Sequence, residues 1–406
     1  MPHTSPMTAR WVVLFLSLLL GLQPVATDLY LPALPALTLD LGANLSQAQL
    51  TLTAMLLAFG FSQLMWGPVS DRWGRRPVLV VGMALFALGA LGSVWAATVD
   101  SLIVWRALQG VAMGAAVMGA RAIVRDLYNP IDAARAMSKG LTGLGVIACI
   151  TAPLGGWLSD QWGWRVALSA LAVFGAMTCV LLIWRFEETL RQRNPQALQW
   201  RVLVSTWRGI GQHPTFWAYA ILTTASYCGL FTFLAASSFV FIGVLGESKT
   251  AYGLWMTSMS VAYIVGTLAC RRMVVRWGVQ RSVAMAGGLT LFSGLSMAAL
   301  AWAEVDSVWA IMLPFYGFML AHGVHQPCGQ SGSVSPFPQA AGAASALSGF
   351  MMMVAAFGVG SWLGVSLDIA GAGSVLPLTN GIGFWSVCIA TSAWTVVQRF
   401  GHLSRT

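Results

Sequence analysis

Charge is what this 406-residue sequence has least of. Only 9% of its residues are Asp, Glu, Lys or Arg, against roughly 25% in soluble domains, so it cannot cover a water-facing surface with polar groups. That excludes a soluble enzyme, and a content of 57% hydrophobic residues excludes a disordered chain. The 22 basic and 13 acidic residues leave a net charge of +9, yet no basic domain stands apart to bind nucleic acid. Disulfide and metal frameworks are missing too. Cys149, Cys179, Cys228, Cys270, Cys328 and Cys388 lie far apart, in or beside apolar runs, and no pair has CxxC spacing. No Ser/His/Asp set or phosphate loop is found, so neither an enzyme nor a cofactor is expected. What the chain does have is 43 glycines, usual in closely packed transmembrane helices. It reads as a polytopic membrane protein.

Apolar stretches long enough to cross a hydrocarbon core of roughly 30 Å follow one another along the chain. They cover 11–34, 47–69, 77–97, 101–124, 138–159 and 164–186, then 214–243, 250–271, 281–302, 307–328, 340–366 and 376–398. The expected fold is an all-α membrane protein of twelve helices. Arg10, the apolar run Trp11 to Leu22 and the segment Pro24 to Thr27 have the outline of a signal peptide. Apolar character resumes from Leu29 to Leu37, however, and an uncleaved first span is expected.

Basic residues set the orientation. With the N-terminus taken as cytoplasmic, eighteen of them fall on the cytoplasmic side, including Arg10, Arg72, Arg75, Arg76, Arg125, Arg135, Lys139, Arg271, Arg272 and Arg405. Only Arg165 and Lys249 fall on the other, while Arg106 and Arg121 lie within a span. Both termini are therefore expected in the cytoplasm.

A polar break from Glu187 to Gln212 divides the chain into 1–186 and 213–406, joined by a linker at 187–212. The two parts repeat. A shift of 204 residues aligns Gly42 to Gly74 with Gly246 to Gly278, matching Leu50 with Leu254, Thr53 with Thr257 and Met55 with Met259. The segment closes on Arg72-Trp73-Gly74 against Arg276-Trp277-Gly278. Two pseudo-symmetric six-helix bundles are the architecture of an alternating-access transporter, with its substrate site between them.

Coupling to protons needs a titratable group in the membrane, and Asp28 is the only carboxylate well inside an apolar span. Counting about 1.5 Å per residue from each end puts Arg106 of span 4 at a similar depth, so the two are expected to share one layer. Desolvation there favours the protonated carboxyl, and a nearby guanidinium the ionised one. Under the repeat the mate of Asp28 is Thr232, which leaves the proton site to the first half. Tyr227, Phe231 and Phe233 of span 7 offer an apolar wall, and Tyr30 and Gln109 are further candidates for the substrate cavity. His322 and His325 of span 10 share a face and titrate near neutrality, which makes them candidates for the same cavity; no third ligand accompanies them for a metal. In span 5, Gly140, Gly143, Gly145, Gly155 and Gly156 allow close helix approach, and Pro153 adds a kink.

The loop Gly67-Pro68-Val69-Ser70-Asp71-Arg72-Trp73-Gly74-Arg75-Arg76-Pro77 sets one acid among three arginines. With Arg125-Asp126 at the end of span 4 it forms a candidate conformational latch. This GxxSDRxGRRP loop resembles the signature loop of the major facilitator superfamily. Arg106-Ala107-Leu108-Gln109-Gly110 resembles its proton-antiporter motif, and Ala152-Pro153-Leu154-Gly155-Gly156 the Pro-Gly motif of drug exporters. Thr27-Asp28-Leu29-Tyr30-Leu31-Pro32-Ala33-Leu34-Pro35 and Ala120-Arg121-Ala122-Ile123-Val124-Arg125-Asp126-Leu127-Tyr128 are similar to segments of the bicyclomycin/chloramphenicol-resistance (Bcr/CflA) drug:proton antiporters. The chain departs from such motifs at Ala152, where glycine is usual, and at Leu20, where some drug antiporters carry a second acid.

The resemblance implies a monomeric exporter in the bacterial inner membrane, its partners a small-molecule drug or metabolite, protons and the lipid bilayer. Asp28 and Arg106 would couple protons, and Ala152, Pro153, Gly155 and Gly156 would form the antiporter helix. Two rivals stand beside this reading: a proton-coupled transporter of one metabolite such as an amino acid or sugar, and a receptor-like protein that moves nothing.

Overall fold

The computed structural model describes residues 7–128, 130–370 and 374–401, and among them no strand occurs. The first six spans are built from α1 (Ala9–Asp28) with α2 (Leu34–Asp40), α3 (Leu45–Trp73), α4 (Arg75–Val94), α5 (Val99–Leu127), α6 (Pro130–Trp162) and α7 (Trp164–Arg185). A short helix α8 (Trp200–Gly211) lies in the linker. The remaining spans come from α9 (Pro214–Ser238), α10 (Lys249–Trp302), α11 (Val308–Val334), α12 (Ala341–Ala370) and α13 (Leu376–Trp394), followed by α14 (Val396–Phe400). Arg405 lies outside the described residues.

Ten helical stretches among the described residues are long and apolar enough to cross a membrane. One of them, α10, has 54 residues, about 81 Å at 1.5 Å per residue, far more than one bilayer core. It is two spans meeting at Gly278, whose φ of 77° and ψ of 169° are not helical. With the 19-residue α13 this makes the twelve-helix fold. Helix starts follow local sequence. Asn44 and Gln47 form a reciprocal capping box on α3, and Thr98 and Ser101 do the same on α5.

Two boundaries depart from expectation. The first span is not one helix over 11–34: α1 stops at Asp28, and the 3-10 turn Leu31–Ala33 intervenes before α2. Pro32 and Pro35 lack the N–H groups that continuation would require, and the Tyr30 N–H bonds Thr27 O at 3.1 Å instead. The fifth span begins at Pro130 rather than at 138, an extra two turns of helix outside the apolar run.

The first and last described residues lie on the linker side. Tyr219 at the start of α9 donates to Gly401 O (2.8 Å) and Thr215 to Phe400 O (2.9 Å). Phe15 of α1 meets Phe186, at the end of α7, edge-on at 5.3 Å between ring centroids. The helices before and after the linker touch along two seams, α3 against α12 and α6 against the first arm of α10 (249–277). Asp28 sits between these seams.

Candidate functional site

The site is built on the break in α1. Asp28 is its last helical residue, half-buried, and accepts a hydrogen bond from Thr27 Oγ1 at 2.8 Å. It stands close enough to Cys149 of α6, Tyr227 of α9 and Tyr252 of α10 for its charge to act on all three. It therefore faces the space where the two sets of helices meet. Across that space Gln23, also on α1, donates to Tyr227 Oη at 3.4 Å.

Arg106 does not pair with Asp28. Its fully buried guanidinium donates from Nη1 to Gln109 Oε1 (2.7 Å) and from Nη2 to Ala26 O (2.9 Å), and lies 4.2 Å over the Tyr30 ring. Ala26 O is free because the helix ends: the N–H four residues on, that of Tyr30, has turned to Thr27. Arg106 thus caps the C-terminus of α1, where helix carbonyls carry partial negative charge and an aromatic face adds attraction. Gln109 passes the network on to Ser93 Oγ (3.1 Å), and Tyr30 Oη meets Thr51 Oγ1 at 2.5 Å. Tyr30 and Gln109 have no exposed surface, so the structure places them behind the site rather than on its wall.

Tyr227 and Phe231, one turn apart on α9, lie nearly parallel, their centroids 6.4 Å apart. Phe233 points away and stacks on Phe315 of α11 at 3.8 Å. His322 and His325 part company despite their spacing. Nδ1 of His322 meets Ser226 Oγ of α9 at 2.8 Å, with Tyr263 and Phe318 against its ring. His325 Nε2 lies 3.4 Å from Val283 O in the second arm of α10. Both are enclosed by helices.

The Pro-Gly segment of α6 serves both sides of the molecule. A Cβ on Gly155 would collide with the backbone of Leu29, just past Asp28, and one on Gly156 with the backbone of Lys249 and Thr250. Buried Ala152 and its neighbour Pro153 present their backbone to Gly253 of α10. Proline has no N–H for the carbonyl four residues earlier, and here that carbonyl, Cys149 O, receives Thr257 Oγ1 from α10 at 3.0 Å.

On the linker side the expected latch residues come together. Arg75 is almost fully buried; it donates from Nη1 to Asp71 Oδ1 (2.7 Å) and Ser70 Oγ (3.0 Å), and from Nε to Asp126 Oδ2 (2.7 Å). Arg125 Nη2 lies 3.3 Å from the same Asp71 oxygen. Gly74 turns the chain at φ 109°, a conformation that favours glycine, whereas a Cβ on Gly67 would make only an ordinary contact with Met118. Arg76 donates to Ile183 O (2.8 Å), while Arg72 is exposed.

Sequence reasoning missed Glu188. Its carboxylate receives the N–H groups of Arg75 (2.8 Å) and Arg76 (3.1 Å), capping α4, while Thr189 donates to Asp126 (3.3 Å). An acid just past span 6, facing an arginine-rich loop, was the available signal. Arg121 was also passed over; it donates across to Ser345 Oγ of α12 at 2.5 Å.

Residues 16–361 match the Major Facilitator Superfamily. The chain is similar to Multidrug resistance protein D of Escherichia coli (strain K12), 30% identical and covering 90% of this chain and 91% of the relative. It also resembles the Bicyclomycin resistance protein homolog of Haemophilus influenzae, 26% identical with 87% of each chain covered. In fold it is similar to the crystal structure of a D-xylose-proton symporter, with a TM-score of 0.75 at 16% identity over 98% of this chain and 99% of that one.

Proposed function

Because the chain belongs to the Major Facilitator Superfamily, we propose that it exports small, mostly apolar toxic compounds from the cytoplasm in exchange for protons. The observation that carries the proposal is Asp28: a half-buried carboxyl at a helix break, in the middle of the Ala9–Asp40 span, facing aromatic rings from the other half. An acid so placed is expensive for the membrane unless it has work to do. The names of the two relatives, a multidrug and a bicyclomycin resistance protein, support export of drugs rather than uptake of one metabolite.

In this reading 1–186 and 213–406 are six-helix bundles that rock about the site, with 187–212 as their cytoplasmic linker and both termini in the cytoplasm of an inner-membrane protein. Asp28 takes a proton when the site opens outward and releases it inward. Drug and proton compete for the same space, since the Tyr227 and Tyr252 rings stand beside the acid. Arg106 is a positioning residue that fixes the end of α1, with Tyr30 and Gln109 holding it in turn. Gly155 and Pro153 let α6 follow both halves, and the Asp71–Arg75–Asp126 network keeps the linker-side loop rigid while they move. The enclosed His322 and His325 pack the second bundle.

Reconstitution into proteoliposomes tests this. Asp28→Asn is expected to insert normally and to lose drug-driven proton movement, whereas Thr232→Val, at the repeat-related position, retains it. Undiminished coupling in Asp28→Asn removes the acid from the mechanism. A growth-inhibition panel in an efflux-deficient host would then identify the compounds.

A further inference from the structure

On the side opposite the linker, two carboxylates reach across the seams to cap helices of the other half. Asp160 Oδ2, near the end of α6, receives Thr250 N (2.9 Å) and Thr250 Oγ1 (2.6 Å) at the start of α10. Asp368, near the end of α12, receives Leu45 N (3.2 Å) on Oδ1, and Ser46 N (3.3 Å) and Ser46 Oγ (2.5 Å) on Oδ2, at the start of α3.

The two contacts are copies. Ser46 and Thr250 are 204 residues apart, the offset of the internal repeat. On the opposing helices Gly156 and Gly364, then Asp160 and Asp368, recur at a common offset of 208. In each helix a small residue, a glycine and the acid stand four apart: Ala152, Gly156, Asp160 and Gly360, Gly364, Asp368. Such spacing puts all three on one face. Each glycine is required by its contact: a Cβ on Gly156 would strike Lys249 and Thr250, and one on Gly364 would strike Ser46.

The donors involved are the ones left over from local capping. A helix start leaves four N–H groups unsatisfied. On α3, Asn44 takes the Gln47 N–H, which leaves Leu45 and Ser46 for Asp368. On α10, Ser248 takes the Ala251 N–H, and Thr250 is left for Asp160. Each helix tip thus gains these partners only while the halves touch on this side.

We propose that Asp160 and Asp368 form a matched pair of clasps that hold this side of the transporter shut, and that both must release for the site to open there. They act as positioning residues: neither touches the Asp28 site. Water can replace each carboxylate, so the clasps bias the equilibrium without locking it. Loss of an N-cap interaction shifts such a balance by about fivefold, and loss of two by about 25-fold when they add.

Hydrogen–deuterium exchange on the full chain in lipid nanodiscs, without drug, tests the proposal. Asp160→Ala and Asp368→Ala are each expected to speed exchange about fivefold in both tips, 44–50 and 248–254, because the halves part as a unit. Amides around Arg121 and Ser345, on the linker side, are expected to gain protection at the same time. Asp160→Asn and Asp368→Asn keep an acceptor and are expected to fall nearer the wild type. Faster exchange confined to the tip whose own cap was removed would overturn the proposal, since that is fraying, and so would no change at either tip. The inference rests on the alternating-access reading, but its readout needs neither drug nor proton gradient. A chain that exports nothing would fail the proteoliposome assay and still give a result here.

Discussion

The bend between α3 and α4 and the bend inside α10 follow the same tripeptide, Arg72-Trp73-Gly74 in one and Arg276-Trp277-Gly278 in the other. Their backbones agree, with φ 109° and ψ 162° at Gly74 against φ 77° and ψ 169° at Gly278. The side chains around them do not. Where the first bend has Asp71, Arg75 and Arg76, the second has Val275, Val279 and Gln280. The first is tied by ion pairs to Asp71 and Asp126 and by the carboxylate of Glu188. The second is held by amides: Gln280 donates to Val397 O (3.1 Å) and Gln398 O (3.2 Å), and Gln398 donates back to Gln280 O (3.0 Å). Duplication preserved the turn, which depends on one glycine, and the acids that pair with its arginines stand at one copy alone. The bend and the charge network are separable devices.

That separation can be broken by substitution. The largest effect is expected from Arg75→Ala, which takes the closest ion-pair partner from Asp126 in a mostly buried setting, leaving it Thr189 and a distant Arg125, and should lower stability by about 3 kcal/mol. Val279→Ala, its repeat mate, removes two half-buried methyl groups and should cost about 1 kcal/mol. Thermal unfolding in detergent, followed by tryptophan fluorescence, ranks the two, and equal losses would show that the ion network contributes no more than packing.

Next come the glycines. An alanine at either bend is forced into the positive-φ, extended-ψ region that is essentially restricted to glycine, at a cost of about 1–3 kcal/mol. At Gly278 the added carbon meets open space, whereas at Gly74 it runs into the Glu188 carboxylate. Gly74→Ala should therefore exceed Gly278→Ala by about 1 kcal/mol or more, the worth of the displaced hydrogen bonds. In a Glu188→Ala background that excess should vanish. Arg72→Ala and Arg276→Ala are the smallest: both side chains are exposed, and shifts within about 0.5 kcal/mol are expected.

Part of the site was legible in the amino-acid sequence. Asp28 could be singled out because a carboxylate inside an apolar run is conspicuous, and the Arg75 network because acids and bases cluster in one loop. The Asp28–Arg106 pairing was not to be had from depth counting. Two residues at one depth can still point to different sides of a helix, and Arg106 points to a carbonyl that exists as an acceptor only because α1 ends at Asp28. Tyr30, Gln109 and His325 looked like cavity residues because polar groups in a membrane suggest a ligand. Tyr30 and Gln109 instead find partners on neighbouring helices, and His325 approaches a backbone carbonyl of α10. Thr257 was visible only as a repeat match, and its bond to Cys149 O follows from what Pro153 takes away.

Composition and linear pattern alone determined the membrane class, the twelve spans, the internal repeat and the charged loop. These follow from chain length against bilayer thickness and from the cost of charge in hydrocarbon, which act on each segment by itself. Only the tertiary structure decided which donors meet which acceptors: Arg106 on Ala26, Glu188 on the start of α4, Asp160 and Asp368 on helix tips of the opposite half. Backbone groups released at a helix break, at a proline or at a helix start carry no mark in the sequence. Their partners depend on which helices the fold brings alongside.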